Sequence, residues 1–475
     1  MSAAAPLPAT CDLAVIGAGP AGLAAAATAA RLGLDTVLLD EQGEPGGQIY
    51  RAITTTPLAD RSVLGTDYWA GGELVEALRA SGARHLAGAM VWNVTHEGEI
   101  ALSAGGAAHL LRAGRVILAT GALERPFPVP GWTLPGVMTV GAAQTLLKTS
   151  GLVADGEVVV AGTGPLLWLL AAQVLRAGGR IAAMLDTTPP ANRRAAMAHL
   201  FSFLTSTYFV SGLPLLRQVK TRVPVVSDVR SLRLLGEGRV REIAYRAGQG
   251  MERRMPADVV LLHQGVVPNL NLANAIGCRQ EWREEQACFA PVVDAWGSSS
   301  IEGVAIAGDG AGIGGARIAA ARGRLAALEA AHRLGRIDAG RRDSEAAAPR
   351  AEVRRFERGR RFLDLMFRPR TEHRIPEGET LVCRCEEITA RQILEAVRLG
   401  CTGPNQVKSF LRAGMGPCQG RLCGLTVTEL IAAARGVPAA EVGYYRLRPP
   451  VKPITLGELA SLPKTEAARE AVERG

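Results

Sequence analysis

Residues 11–41, CDLAVIGAGPAGLAAAATAARLGLDTVLLDE, constrain the fold more than any other stretch of the chain. An apolar strand, a turn on Gly17, Gly19 and Gly22, an alanine-rich helix running to Gly33 and a second apolar strand over residues 36–39 make one βαβ unit. In such a unit Gly17 permits the tight turn, Gly19 lets a pyrophosphate approach the backbone, and Gly22 lets the helix lie close to the strand. The stretch Gly17-Ala18-Gly19-Pro20-Ala21-Gly22 then turns the positive end of the helix toward phosphates. Asp40 follows Gly22 by 18 residues and ends the second strand, where a carboxylate can accept hydrogen bonds from a ribose; Glu41 is the alternative acid. A merely structural turn requires only the glycines. The strand before them, the helix after them and the acid at this offset together indicate a nucleotide site.

The architecture recurs. EVVVAGTGPLLWLLAAQVLRAGGRIAAMLD places Gly162 and Gly164 in the turn and Asp186 at the end of its second strand. The third glycine position is Leu167, whose bulk is expected to hold helix and strand apart. A nucleotide in this second unit therefore stays an open question, against a fold retained for structure alone.

At 475 residues the chain exceeds the roughly 250–300 at which one core divides, so two or three domains are expected. Hydrophobic residues at 48% and charged residues at 21% describe an ordinary globular protein rather than a disordered one. The net charge of +9 comes chiefly from arginine, and no basic stripe interleaves with aromatics, so a nucleic-acid partner is not expected. The N-terminus lacks the basic and apolar regions of a signal peptide. Residues 158–175 are the most membrane-like segment, but their internal Gly-Thr-Gly-Pro reads as a buried strand turning into a buried helix. A cytoplasmic location is expected, with any attachment to the inner face of the membrane made through a complex. In that reducing compartment clustered cysteines favour metal ligation or redox chemistry.

Five of the eight cysteines fall within residues 380–427. Cys383-x-Cys385 is followed by 32 residues and then Cys418-x4-Cys423. Thr389 and Gln392 fit a capping box for a helix ending at Gly400, and a second helix is expected from near Gly420. Two loops held by short helices can bring four thiolates together, leaving Cys401 outside both pairs. Zinc and a 2Fe-2S cluster share this ligand set, and inert thiols are the plain alternative.

Further motifs carry a resemblance. EPGGQIY, with Gly46, Gly47 and Gln48, VILATGALERP, with Ala119, Thr120 and Gly121, and GVAIAGDGAGIGGARIAAARG, with Gly308 and Asp309, resemble the two-dinucleotide-domain flavoproteins that include thioredoxin and glutathione reductases. The resemblance spans about residues 10–335 and implies FAD, with Gln48 in the loop passing the flavin, Asp309 on the ribityl chain, and a helix from about Gly315 and Ala316 aimed at the flavin ring. It implies an α/β fold with two Rossmann-like domains: an FAD domain split into residues 8–125 and 271–335, and an inserted NAD(P)-type domain at 126–270. No nearby cysteine pair lies between Cys11 and Cys278, so disulfide reduction is not expected. Residues 336–378 read as an Arg-rich, solvated linker.

Residues 379–440, with GMGPCQGRLC, resemble the bacterioferritin-associated ferredoxin-like module, small and mainly helical, in which Cys383, Cys385, Cys418 and Cys423 would hold a 2Fe-2S cluster. Residues 441–475 read as a C-terminal tail. The order of parts is similar to the α subunit of bacterial heteromeric amino-acid and opine dehydrogenases, the group of opine oxidases, hydrogen cyanide synthase and hydroxyproline or proline dehydrogenases. That likeness implies a β subunit of glycine-oxidase type carrying the amine pocket and its own FAD. It also implies a small third subunit or an additional FMN at a subunit interface in some members, and an acceptor such as a respiratory-chain component. Two other readings stay open: a self-sufficient NAD(P)H-dependent flavin/iron-sulfur reductase, and a nonredox nucleotide-binding scaffold with zinc. No catalytic side chain is nominated, since hydride chemistry at a flavin belongs to the cofactor.

Overall fold

Alternate residues of the first strand, Thr10–Ile16, serve two different cores. Leu13 and Val15 pack with the helices, while Ala14 and Ile16 pack with the opposite face, so an uninterrupted apolar run is what this strand requires. The computed structural model describes residues 7–463; the last part of the expected tail, 464–475, lies outside the described residues. The strand sits inside a seven-stranded sheet in the order Arg84–Ala87, Thr36–Asp40, Thr10–Ile16, Ala107–Leu118, Glu99–Ala104 and Met90–Val94. Val304–Ile306 joins by pairing in parallel with the end of Ala107–Leu118. The helix Pro20–Arg31 lies against Ala316–Arg333 so closely that a Cβ on Gly323 would stand 2.1 Å from the Ala21 carbonyl oxygen. Residues far apart in sequence thus complete one nucleotide fold.

The second sheet is five-stranded and parallel, in the order Val225–Val226, Ala183–Asp186, Val158–Thr163, Val259–Gln264 and Val137–Thr139. Its helix Pro165–Arg176 buries Leu167, Leu170 and Ala171 in the same core as Val158 and Val160. An antiparallel sheet of Val229–Leu235, Glu242–Ala247 and Arg253–Pro256 closes the opposite face.

Residues 336–378 are less solvated than expected. The helix Ala339–Glu357 lies on Ala316–Arg333 through the pairs Arg324–Glu352 and Arg342–Glu329, each at 2.8 Å, and through Arg342 and Arg350 stacked on Trp296. Exposed pairs of this kind contribute only about 0–1 kcal/mol each, so they set the helix's position more than the protein's stability. The segment then turns inward. Phe362 stacks on Phe203 with ring centroids 4.1 Å apart, and Arg370 and His373 are buried.

The last module has its own core of Val382, Ile393, Val407, Val427, Leu430, Ile431 and Tyr445. Thr389 and Gln392 form the expected capping box of helix Ala390–Arg398, and Gly424–Arg435 is the second main helix. The chain beyond residue 440 folds back: Tyr445 and Leu447 enter this core, and Val451 reaches the core of the first sheet, its amide donating to the Trp92 carbonyl at 3.0 Å. Among the described residues no helix is long and apolar enough to cross a membrane.

Candidate functional site

At the first glycine turn each glycine meets a different constraint. Gly17 has φ +108°, and a Cβ there would stand 2.4 Å from the Ala119 carbonyl oxygen. A Cβ on Gly22 would stand 1.7 Å from the Gly17 oxygen, so the helix approaches the strand as closely as backbone permits. Gly19 differs: its φ is −77°, and a Cβ would meet nothing nearer than Gly47 Cα at 3.9 Å. The turn therefore borders open space at Gly19, beside the start of a helix headed by Pro20 and Ala21. Asp40 is buried, and its carboxylate accepts from the amides of Ala18 and Gln42, tying the strand end to the turn. Glu41 faces outward and pairs with Lys452. Arg51 donates from Nη1 to Gln42 at 2.7 Å, while its buried Nε has no partner within the protein.

The three motifs expected beside a flavin converge on this turn. The Gly46 amide donates to the Ala18 carbonyl at 2.8 Å, and Gly47 lies against Gly19. Gln48 is exposed. Ala119 continues the central strand, and the Thr120 hydroxyl donates to the Asn269 carbonyl at 3.3 Å. Gly121 accepts from the Asn269 amide at 3.0 Å. Asp309 Oδ1 accepts from the amides of Gly314 and Gly315 at 2.8 and 2.9 Å, closing the loop just before the helix that Ala316 begins.

Lys148, on helix Val140–Ser150, is buried beneath the 46–50 loop and donates to the carbonyls of Gln48 and Ile49 at 3.3 and 2.9 Å and to Gln144 at 2.8 Å. Burial, reinforced by the nearby Arg51 charge, draws its pKa down from 10.5 to about 7. Between those values the unfolded chain holds a proton that the folded chain has lost, so this group makes stability rise with pH from about 7 to 10.5. Lys148→Met is expected to flatten that rise, read as the melting temperature against pH for the two proteins.

The four paired cysteines meet as two contacts, Cys383 with Cys423 and Cys385 with Cys418, and Cys423 also lies near Cys418. Among the described residues no group of three or more His, Cys, Asp or Glu side chains closes on a single metal position. The hydrogen bond from Cys423 draws the Cys383 thiol down to about 6 against the opposing effect of burial, with amides of Gly414, Glu386 and Cys385 assisting. The same contact and burial push Cys423 up. Cys385 is exposed, Cys383 and Cys423 are buried, and Cys418 is between. Gly416 is required here, since a Cβ on it would stand 2.2 Å from Cys385 Cβ. Tyr445 is fully buried beside Cys423 with a hydroxyl lacking an oxygen or nitrogen partner, as a cluster with sulfur acceptors would call for. Cys401 lies apart, after helix Ala390–Arg398.

Several residues at this junction were not legible as functional from the sequence. Tyr444 and Tyr445 continue a row of rings, Trp282 to Phe289 to Tyr444 to Tyr445, at 5.2, 5.7 and 5.9 Å; a tyrosine pair in a chain with 4% aromatics was the available signal. Glu429, on the helix after Cys423, is buried between Arg374 and Arg125, the latter at 3.8 Å. Burial draws both guanidinium pKa values down to about 10. Asn271 donates to the Gln419 carbonyl at 3.1 Å, so the segment bonded to Thr120 and Gly121 also holds the residue next to Cys418.

Comparison with known proteins adds kinship to this geometry. The family described as Pyridine nucleotide-disulphide oxidoreductase matches residues 11–335, and the BFD-like [2Fe-2S] binding domain matches 381–433. The chain is 48% identical over 471 residues to the larger-named partner of that group, the opine oxidase A-subunit of Agrobacterium tumefaciens (strain Ach5), covering 97% of this chain and 93% of that one. It is 31% identical over 469 residues to Hydrogen cyanide synthase subunit HcnB of Pseudomonas aeruginosa, covering 94% and 98%. In fold it is similar to L-proline dehydrogenase from P. horikoshii, with a TM-score of 0.70 at 20% identity over 95% of this chain and 79% of that one.

Proposed function

The chain belongs to the pyridine nucleotide-disulphide oxidoreductase family and is kin to the opine oxidase A-subunits, and from that premise we propose that it is the electron-transferring subunit of a heteromeric oxidoreductase acting on C–N bonds. FAD occupies the first fold, with its pyrophosphate beside Gly19, Asp40 or Glu41 at the adenosine ribose and the free oxygen of Asp309 toward the ribityl chain. A 2Fe-2S cluster is held by Cys383, Cys385, Cys418 and Cys423. Two cysteine contacts rather than one four-sided centre support a two-iron cluster over a single zinc. When bound, the flavin takes electrons in pairs and the cluster passes them singly.

The observation that carries the relay is the junction itself. Asn271 ties the cluster loop to the Thr120–Gly121 loop, and the Arg125–Glu429–Arg374 cluster fixes the following helix against the flavin fold. Removing one member of such a buried charge group typically costs about 3–5 kcal/mol, so the two sites are held in register. This chain's residues bind and align the cofactors. The amine pocket belongs to a partner of glycine-oxidase type, with FMN at their interface and a third small subunit as further members. A respiratory-chain component serves as acceptor. The eight unpaired cysteines suit a complex working in the reducing cytoplasm.

Purification of the native complex followed by mass spectrometry tests this reading. An amine-oxidising partner should accompany the chain, and the chain alone should oxidise opines, proline, hydroxyproline or glycine at background rate. Substantial turnover by a demonstrably single-subunit preparation would contradict it.

A further inference from the structure

We propose that the second dinucleotide fold takes no pyridine nucleotide and is instead the seat for the chain's own segment 366–374, which carries the cysteine module. The inference rests on that fold's geometry and is independent of the electron-relay reading. Each part of the expected nucleotide site is filled.

The phosphate turn is the first. At Gly164, which corresponds to Gly19, a Cβ would stand 3.0 Å from both Cδ2 and Nε2 of His263, where the first fold has open space. His263 takes the place that Ala119 holds in the first fold, so an imidazole replaces a methyl group at the turn. The ring is buried and fixed: Nδ1 bonds Glu124 Oε1 at 2.5 Å, and the other oxygen of Glu124 accepts from the Gly141 amide at 2.8 Å. The space a pyrophosphate needs is occupied by a ring, and a carboxylate stands behind it.

The adenosine end is the second. Arg370 is buried, donates to the Thr187 carbonyl at 3.3 Å and pairs with Asp228. Thr187 follows strand Ala183–Asp186, and Asp228 follows strand Val225–Val226, so the guanidinium bridges the ends of the two strands over which an adenosine would lie. Asp186, the acid placed for a ribose, spends Oδ1 on the Thr188 amide at 2.9 Å, and the Thr163 and Thr188 hydroxyls bond at 2.7 Å.

The rest of the segment is seated in the same crevice. Asn192 donates to the carbonyls of Met366 and Arg368 at 3.1 and 2.8 Å, and Gln264 donates to the His373 carbonyl at 3.0 Å. The next residue, Arg374, pairs with Glu429 on the helix that follows Cys423. The seat therefore fixes the cysteine module through a short, buried arm.

Amide hydrogen exchange of the full chain, with NADH or NADPH added to about 1 mM, tests both halves; ligands with dissociation constants well below that level would fill a free site. No protection is expected over residues 162–167 or 186–190, and protection there would overturn the proposal. In Arg370→Ala, exchange over 366–374 should rise about tenfold or more, with flavin and iron content unchanged. Unchanged exchange in that variant, in a protein that folds normally, would overturn the seat.

Discussion

Gly19→Val gives a folded chain that purifies with flavin occupancy lowered about tenfold or more, because the new side chain obstructs the close backbone approach of the pyrophosphate. The backbone at Gly19, with φ −77°, suits any residue, and no protein atom lies within 3.9 Å of a new Cβ. The damage should therefore fall on the ligand and spare the fold. Gly22→Val supplies the contrast: its Cβ would stand 1.7 Å from the Gly17 oxygen, so the helix must leave the strand and the whole fold should fail. Flavin absorbance per chain, measured beside the thermal melting curve, separates the two outcomes. Full occupancy in Gly19→Val would place the pyrophosphate elsewhere.

Serine at Cys383, Cys385, Cys418 or Cys423 is expected to strip iron and visible cluster absorption, whereas Cys401→Ser leaves both intact. Losing a ligand should exceed the roughly 10–100-fold fall in metal affinity that follows loss of an outer partner alone. Cys383 should be especially sensitive, since it alone of the four has its thiol drawn down to about 6, toward the thiolate that binds metal. Flavin content should survive all five changes, the first nucleotide turn lying in a different core. Stoichiometric zinc in anaerobically purified protein, or cluster loss in Cys401→Ser alone, would reverse the assignment.

Much of this architecture was written in local pattern. The first glycine unit, its repeat, and the capping box at Thr389 and Gln392 all follow from short-range rules, and each was legible. What was hidden is long-range. Nothing near Arg370 says that it will lie between the strand ends of a fold more than a hundred residues earlier. The run of arginines read as solvated because composition reports average exposure; Arg370 is 7% exposed, with a carboxylate from Asp228 to satisfy it. His263 had a signal that comparison of the two repeats could reveal, since VLLHQG stands where the first unit has VILATG. Tyr445 lay beyond the expected module boundary at residue 440, yet it is fully buried beside Cys423.

In the proposed relay, electrons cross this chain from flavin to cluster. The decisive experiment follows the purified complex after anaerobic addition of its amine or opine substrate, recording flavin absorbance and low-temperature electron paramagnetic resonance in the same samples. Bleaching of the flavin should be accompanied by the signal of a reduced 2Fe-2S cluster, and Cys418→Ser should keep substrate oxidation in the first turnover while losing transfer to the external acceptor. A cluster that stays oxidised through steady turnover, or a Cys418→Ser complex that passes electrons onward at the full rate, would refute the relay.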